Sequence, residues 1–410
     1  MVPMPTDRQY DVILFGASGF TGRQTVQYFA QHAPPGLRWA IAARSKAKLE
    51  LVRAESGLGS REIALIVADS RDQASIDAMV ASTRVILTTA GPFALYGTPI
   101  VDACARLGTH YCDITGETPW IREMIDRFHA RASADGTKIV TCCGFDSVPA
   151  DIGTLAVVRA LRDAGTGTRD VRAYYRGTGG FNGGTVASIA NIHATQGSSP
   201  GAARLDDPFL LDPPVEHSAR QKAESRDVIT PFEDSRIGTW VGPFLMAVIN
   251  TRVVRRSAAL AAEGGAPYGS DFVYQEYQRY GAPLAAAKAV VVTALLGVVD
   301  AGFRTTLGRR LLTSLLGPGA GPSDEAMDRG WFRIDLRGTG EDGRVVTCTI
   351  QHKGDPGNRA TVRFLCESAL ALATDAAVLP AGGGVLTPAA ALGDALLRRL
   401  RETGMTIVVQ

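Results

Sequence analysis

The chain has 410 residues, enough for two domains and a large core. Its 43 lysines and arginines nearly balance 41 acids, and no basic run breaks that balance, so no nucleic-acid partner is expected. The cysteines at 104, 112, 142, 143, 348 and 366 form no Cys-x-x-Cys pair and have no histidine cluster beside them. That pattern predicts neither a metal site nor a disulfide framework, and it suits a reducing cytoplasm.

The first apolar run, Tyr10–Phe15, begins too early to leave room for a signal peptide, which points to a cytoplasmic location. It opens into Gly16-Ala-Ser18-Gly19-Phe20-Thr21-Gly22 and a helix expected over Thr21–His32. Strand, three glycines at this spacing and helix make the phosphate turn of a dinucleotide-binding fold. The first glycine allows the tight turn, the second lets backbone approach a pyrophosphate, and the third lets helix pack on strand. Gly16, Ser18, Gly19, Phe20, Thr21 and Gly22 are therefore candidate cofactor ligands. With 45 glycines in the chain the spacing alone says little; its position after a buried strand says much. A second strand, Arg38–Ala43, ends in Arg44-Ser45-Lys46, with no carboxylate before Glu50. An NAD site places an acid there, whereas an NADP site places a cation. Arg44 and Ser45 are thus expected to meet the 2′-phosphate of NADPH.

Further strands are predicted at Ile63–Ala68, Arg84–Thr88, Thr109–Asp113 and Lys138–Cys142, and helices at Gln73–Val80, Pro99–Leu107 and Pro119–Ala134. Such alternation predicts a doubly wound parallel sheet with its ligand at the carboxyl ends of the strands. At those ends lie Asp69 and Ser70, expected near the adenine, and Thr88, Ala90, Gly91 and Pro92, expected under the ribose and nicotinamide. Asp113 and Glu117 follow the fifth strand, and Cys142-Cys143-Gly144-Phe145-Asp146-Ser147 follows the sixth. Asp146 is a candidate proton donor or a helix cap, and Tyr96, after the Gly-Pro-Phe turn, is a second candidate donor. Adjacent cysteines at a buried strand end read as small core residues.

After Pro149 the pattern changes. A helix from Ala150 to Arg162 leads to a strand Val171–Arg176 and a glycine-rich stretch, in which Gly183, Gly184 and Thr185 are candidate substrate ligands. Residues 198–235 read as loop. The apolar run Ala289–Val299 is too short to span a bilayer and reads as a buried helix or pocket wall. With the arginine-bearing stretch after it, residues 289–316 could also make peripheral membrane contact. Trp331–Gly338 and Arg344–Lys353 read as an antiparallel hairpin. Thr387-Pro388 starts a helix marked by Leu392, Leu396 and Leu400.

Taken together, several strings resemble the saccharopine dehydrogenase-like oxidoreductases, and among them the bacterial trans-acting enoyl reductases. They are the glycine turn with Ala43-Arg44-Ser45, Gly91-Pro92-Phe93 with Tyr96-Gly97, Tyr111-Cys-Asp113 with Gly116-Glu117, Gly144-Phe-Asp-Ser-Val-Pro149 with Asp151, Gly183-Gly184-Thr185, and Gly384-Val-Leu-Thr-Pro388. The resemblance covers nearly the whole chain. It implies an α/β fold with a Rossmann doubly wound parallel sheet and a second α+β domain holding a mixed sheet. It also implies NADPH, membrane association, and an acyl or polyketide-type thioester as substrate, carried on a carrier protein or synthase in lipid biosynthesis. The expected division is residues 1–148 for NADP, with 385–410 packing back onto them, and 149–384 for substrate and homodimer contacts. No tyrosine is followed four residues later by lysine, which excludes the short-chain dehydrogenase mechanism. Two rivals stand. One is an imine-reducing amino-acid dehydrogenase, which would need cations such as Arg172 and Arg176 to grip carboxylates. The other is a non-catalytic nucleotide-binding or lipid-associated protein.

Overall fold

A computed structural model describes residues 8–57, 63–179, 186–188, 190–191, 206–315 and 321–410. Its first half alternates β1 (Tyr10–Phe15), α1 (Phe20–His32), β2 (Trp39–Ala43), α2 (Lys46–Glu55), β3 (Ala64–Val67), α3 (Gln73–Ala81), β4 (Thr83–Thr88), α4 (Phe93–Tyr96), α5 (Thr98–Leu107), β5 (His110–Asp113), α6 (Thr118–Asp135), β6 (Lys138–Val140) and α7 (Val148–Asp163). The second half runs β7 (Thr168–Thr178), α8 (Ala219–Glu224), β8 (Phe232–Asp234), β9 (Thr239–Gly242), α9 (Ala247–Glu263), β10 (Val273–Arg279), α10 (Ala285–Arg304), α11 (Thr306–Leu315), α12 (Asp324–Arg329), β11 (Trp331–Gly340), β12 (Val345–Lys353), α13 (Thr361–Thr374), β13 (Gly384–Leu386), α14 (Pro388–Glu402) and β14 (Thr406–Val409).

The first sheet has the order β13-β6-β5-β4-β1-β2-β3. Every neighbouring pair in it is parallel, as a Rossmann sheet requires. Val12, Ile13 and Leu14 are sealed on both faces, which is why β1 reads as an unbroken apolar run rather than an alternating one. One face is covered by α3, α5 and α6. On the other, α13 lies against β1, β4 and β5. The second sheet, β14-β12-β11-β7-β10-β9-β8, is mixed: β7 and β10 run parallel and the remaining pairs antiparallel. Helix α7 packs against β11, β12 and β7, so one apolar core runs from the first sheet into the second.

Chain termini and sheets do not sort by sequence. β13 extends the first sheet beside β6, whereas β14 closes the edge of the second beside β12. Between them α14 packs on α7 and α13. Its start is set by Thr387, whose hydroxyl accepts the Ala390 N–H, with Pro388 in the first turn.

Two readings need correction. Among residues 206–235, taken as loop, lie α8, with a Ser218–Gln221 capping box, and β8. The apolar run 289–299 belongs to a longer helix, Ala285–Arg304, which Lys288 and Asp300 do not interrupt. That helix is no core element: Ala289 and Phe303 are its buried residues, and most of its apolar side chains face solvent.

Candidate functional site

Because β1 to β6 run parallel, the loops at their carboxyl ends lie along one edge of the sheet. Gly16 adopts φ +88°, a backbone conformation that favours glycine. A Cβ there would lie 2.9 Å from the Ala90 nitrogen, so the glycine turn and the turn after β4 touch. Thr89 strengthens that contact by donating its N–H to the Phe15 carbonyl (3.0 Å). Thr88 Oγ1 accepts the Ala90 N–H at 3.2 Å. Gly22 is needed for packing, because a Cβ would stand 2.2 Å from the Gly16 carbonyl oxygen. Gly19 differs from both: it is exposed, and an added Cβ would meet nothing nearer than that same oxygen at 3.4 Å. The N-terminus of α1 has no side-chain cap and no acid in its first turn. Open space before a glycine, in front of uncapped helix amides, fits a pyrophosphate.

Beside it, Arg44 is exposed at the end of β2, and Ser45 caps α2 through the Lys48 N–H (3.4 Å). Beyond β3, Asp69 is held by Arg71 through its guanidinium (2.9 and 3.3 Å) and its backbone N–H (3.0 Å). Those contacts, helped by the field of Arg44, hold the Asp69 carboxyl down at about 2. Ser70 is half-buried in the same turn. Arg71 was not foreseen; a cation two residues after Asp69 was its signal. Tyr96 is half-buried at the end of α4, three residues after Phe93.

At the start of the same helix, α4, Glu117 acts as an acceptor hub. Its carboxylate takes the N–H groups of Phe93 (2.8 Å) and Ala94 (3.0 Å) and the Ser188 hydroxyl (3.0 Å). It thereby anchors the residues after Gly91-Pro92 at the start of α4 and ties them to the segment beyond the glycine-rich stretch. Replacing Glu117 with Ala strands two amides, so stability is expected to fall by about 2–4 kcal/mol. A thermal melt measures this, and NADPH affinity should weaken in the same variant as the turn loosens.

Asp113 performs a similar task one layer deeper. It accepts the Tyr111 hydroxyl (2.7 Å) and the N–H groups of Thr115 (3.0 Å) and Cys142 (3.1 Å). Burial pushes its carboxyl up to about 7. Cys142 sits at φ +62°, a costly conformation for a residue with a side chain, and the bond to Asp113 fixes it there. The turn that follows, Gly144–Ser147, leads into α7, and its Phe145 packs against Tyr175, Phe332 and Phe364. Ser147 Oγ reaches Asn250 Oδ1 (3.2 Å), and Asn250 donates to buried Glu276 (2.8 Å). Glu276 also accepts the hydroxyls of Tyr274 (2.8 Å) and Tyr175 (3.3 Å), and burial raises its carboxyl to about 8. Asp146 is half-buried, and desolvation lifts its carboxyl to about 6. Gly183, Gly184 and Thr185 lie outside the described residues.

Other residues from the sequence reading are engaged in holding the fold. Asp151 is buried and accepts the Ser257 hydroxyl (2.5 Å) and the Ala389 N–H (2.7 Å), joining α7 to α9 and α14. Arg172 is buried among Asp170, Glu224 and Tyr277, and Arg176 lies beside Asp335, which Arg279 and Arg333 also approach.

With that geometry in hand, similarity to known proteins adds to the assignment. The family model of the saccharopine dehydrogenase NADP-binding domain matches residues 12–140, which reach from β1 to the end of β6. A putative trans-acting enoyl reductase of Mycobacterium tuberculosis is 38% identical over 98% of both chains. The trans-acting enoyl reductase of Mycobacterium ulcerans is 37% identical over 98% of this chain and 97% of its own. In fold, the chain is like saccharopine dehydrogenase (L-Glu forming) of Saccharomyces cerevisiae, with a TM-score of 0.55, 14% identity, and 98% and 99% of the two chains covered.

Proposed function

The chain belongs to the saccharopine dehydrogenase-like oxidoreductases, among the trans-acting enoyl reductases, and from that premise we propose that it reduces the double bond of an enoyl thioester in lipid biosynthesis. It is an NADPH-dependent oxidoreductase. The observation that carries the finer reading is that identity to proteins named enoyl reductases runs through the second sheet as well as the NADP domain. A shared nucleotide domain alone would fit any reductase. The imine-reducing rival loses its motive, since Arg172 and Arg176 already face carboxylates of this chain.

In this reading Gly16, Ser18, Gly19, Phe20, Thr21 and Gly22 hold the pyrophosphate and Arg44 and Ser45 the 2′-phosphate. Asp69 and Ser70 border the adenine, while Thr88, Ala90, Gly91 and Pro92 lie along the ribose and nicotinamide. NADPH, when bound, supplies the hydride. In a Rossmann fold the adenine half lies over β2 and β3 and the nicotinamide half across the switch point. Of the two candidate donors, Tyr96 and Asp146, we assign protonation of the α-carbon to Asp146, whose carboxyl, lifted to about 6 by desolvation, suits proton donation near neutral pH. The substrate is an acyl or polyketide-type thioester presented by a carrier protein or synthase, in the cytoplasm or at the inner face of the membrane. Gly183, Gly184 and Thr185 are the residues proposed to meet it.

The test is NADPH oxidation with an α,β-unsaturated acyl thioester of N-acetylcysteamine, set against 2-oxoglutarate plus lysine as the imine control. Turnover is expected with the thioester only; turnover with the imine pair would support the rival, and none with either would support a sensor. Because Asp146 must carry its proton to act, kcat should fall about tenfold per pH unit above about 6. Asp146→Asn should lower kcat and remove that dependence.

A further inference from the structure

We infer that the helical hairpin of α10 and α11 is a monotopic anchor, lying in the headgroup layer of an anionic bilayer without crossing it. This stands apart from the enoyl assignment and rests on the hairpin itself.

Helix α10 is inside out. Val290, Val291, Leu295 and Val298 repeat at helical spacing along its exposed face, between 53% and 69% accessible. Its polar Thr293 turns inward instead, toward Gly242 of β9, where its hydroxyl finds no partner among the described residues. A soluble helix buries its apolar stripe. Leu307 (79%) and Leu311 (62%) carry the exposed apolar surface on to α11. Gly308 lets the two helices meet closely, since a Cβ there would lie 2.2 Å from the Gly302 carbonyl oxygen. Just before α10, Leu284 is 73% exposed and held at φ +63°, a conformation that costs a leucine free energy and hides none of its side chain.

Charge and composition name the occupant. Residues 285–315 carry four cations, Lys288, Arg304, Arg309 and Arg310, against the single carboxylate of Asp300, which pairs with Arg304 at 2.8 Å. Two copies facing each other would bring these cations together, which disfavours a second copy of this chain. Protein interfaces are enriched in tyrosine, tryptophan, phenylalanine and methionine. The one aromatic residue of 285–315, Phe303, is buried, and the exposed face is aliphatic. Aliphatic surface with cations at its border fits acyl chains beneath anionic headgroups.

Topology decides against a span. Helix α10 has 20 residues, a mean hydropathy of 1.8 and the length to cross. However, β10 before it and β11 after it lie in the same sheet, on either side of β7. The return helix α11 has 10 residues, about 15 Å, half of what a crossing requires. One flank of α10 also rests on β9, which lipid could not surround.

Flotation of the full-length protein tests the anchor, using vesicles of phosphatidylcholine with about a quarter phosphatidylglycerol and vesicles of phosphatidylcholine alone. The protein should float with the anionic vesicles, and about tenfold less with neutral ones or in about 1 M salt. The triple variant Val291→Glu, Leu295→Glu, Val298→Glu should lose flotation while keeping its melting temperature and NADPH affinity. The idea fails if the wild type does not float, or if the triple variant floats as before. It also fails if that variant instead splits a dimer in sedimentation, which would make the hairpin a contact between copies. Salt-resistant association that only detergent releases would mean a span, and would overturn it too.

Discussion

Gly19→Val is expected to weaken NADPH binding by at least about a hundredfold while leaving the melting temperature unchanged. The three glycines of the turn serve different ends, and the geometry separates them. Gly16 is required by its positive φ and by the nearby Ala90 nitrogen, and Gly22 by the 2.2 Å approach to the Gly16 carbonyl. Gly19 has φ −75° and ψ 171°, extended backbone that valine adopts readily, and no protein atom crowds its missing side chain. The protein therefore does not need a glycine at 19; a phosphate pressed against the backbone would. Gly22→Val, in contrast, should lower stability by several kcal/mol through a clash that backbone must absorb. Calorimetric titration of the folded Gly19 variant decides: unchanged affinity would mean that the pyrophosphate lies elsewhere.

The contrast between these glycines mirrors what was legible in the sequence. β1 to β6 were read to within two residues at each end, because each is a short apolar run bounded by turn residues and helices of clear onset. α13 went unread for a physical reason: Phe364, Leu365, Ala369 and Leu372 are buried along with the residues between them, so the helix has no polar face to create a period. β13 is three residues long, below any pattern. The extent of α10 was misjudged because single charges at 288 and 300 looked like boundaries, although a lysine or aspartate on a helix surface ends nothing.

The site divides in the same way. Features made by local backbone were readable: the glycine turn, the Ser45 cap and the arginine in place of an acid. Features made by distant chain were not. Glu117 caps residues 24 positions away, and Ser147 meets Asn250 103 positions on, with Glu276 behind it. Nothing in the neighbourhood of Asn250 or Glu276 in sequence marks either as part of a cleft. Both are core polar residues that become meaningful only when α9 and β10 are brought beneath the β6 loop.

Cofactor choice rests on a local feature, and Arg44→Ala is expected to weaken NADPH by about tenfold to a hundredfold while leaving NADH affinity unaltered. A hydrogen bond to a charged group contributes about 1.5–3 kcal/mol, which spans that range. Exposure of Arg44 places the value toward the lower end at physiological salt, and the preference should shrink further as salt is raised. Arg71 does not replace it, because Asp69 already holds that guanidinium at 2.9 and 3.3 Å. Ser45 does not either, since its hydroxyl can donate one hydrogen bond to the phosphate but brings no charge. Inverting the preference calls for a carboxylate at the ribose. Ala43 is buried and would have to desolvate it, whereas position 44 is open. Arg44→Asp should therefore bind NADH better than NADPH, by repelling the 2′-phosphate and accepting the 2′-hydroxyl. Dissociation constants of wild type, Arg44→Ala and Arg44→Asp for both nucleotides settle the matter: a wild type that binds NADH as tightly as NADPH has no 2′-phosphate site at Arg44.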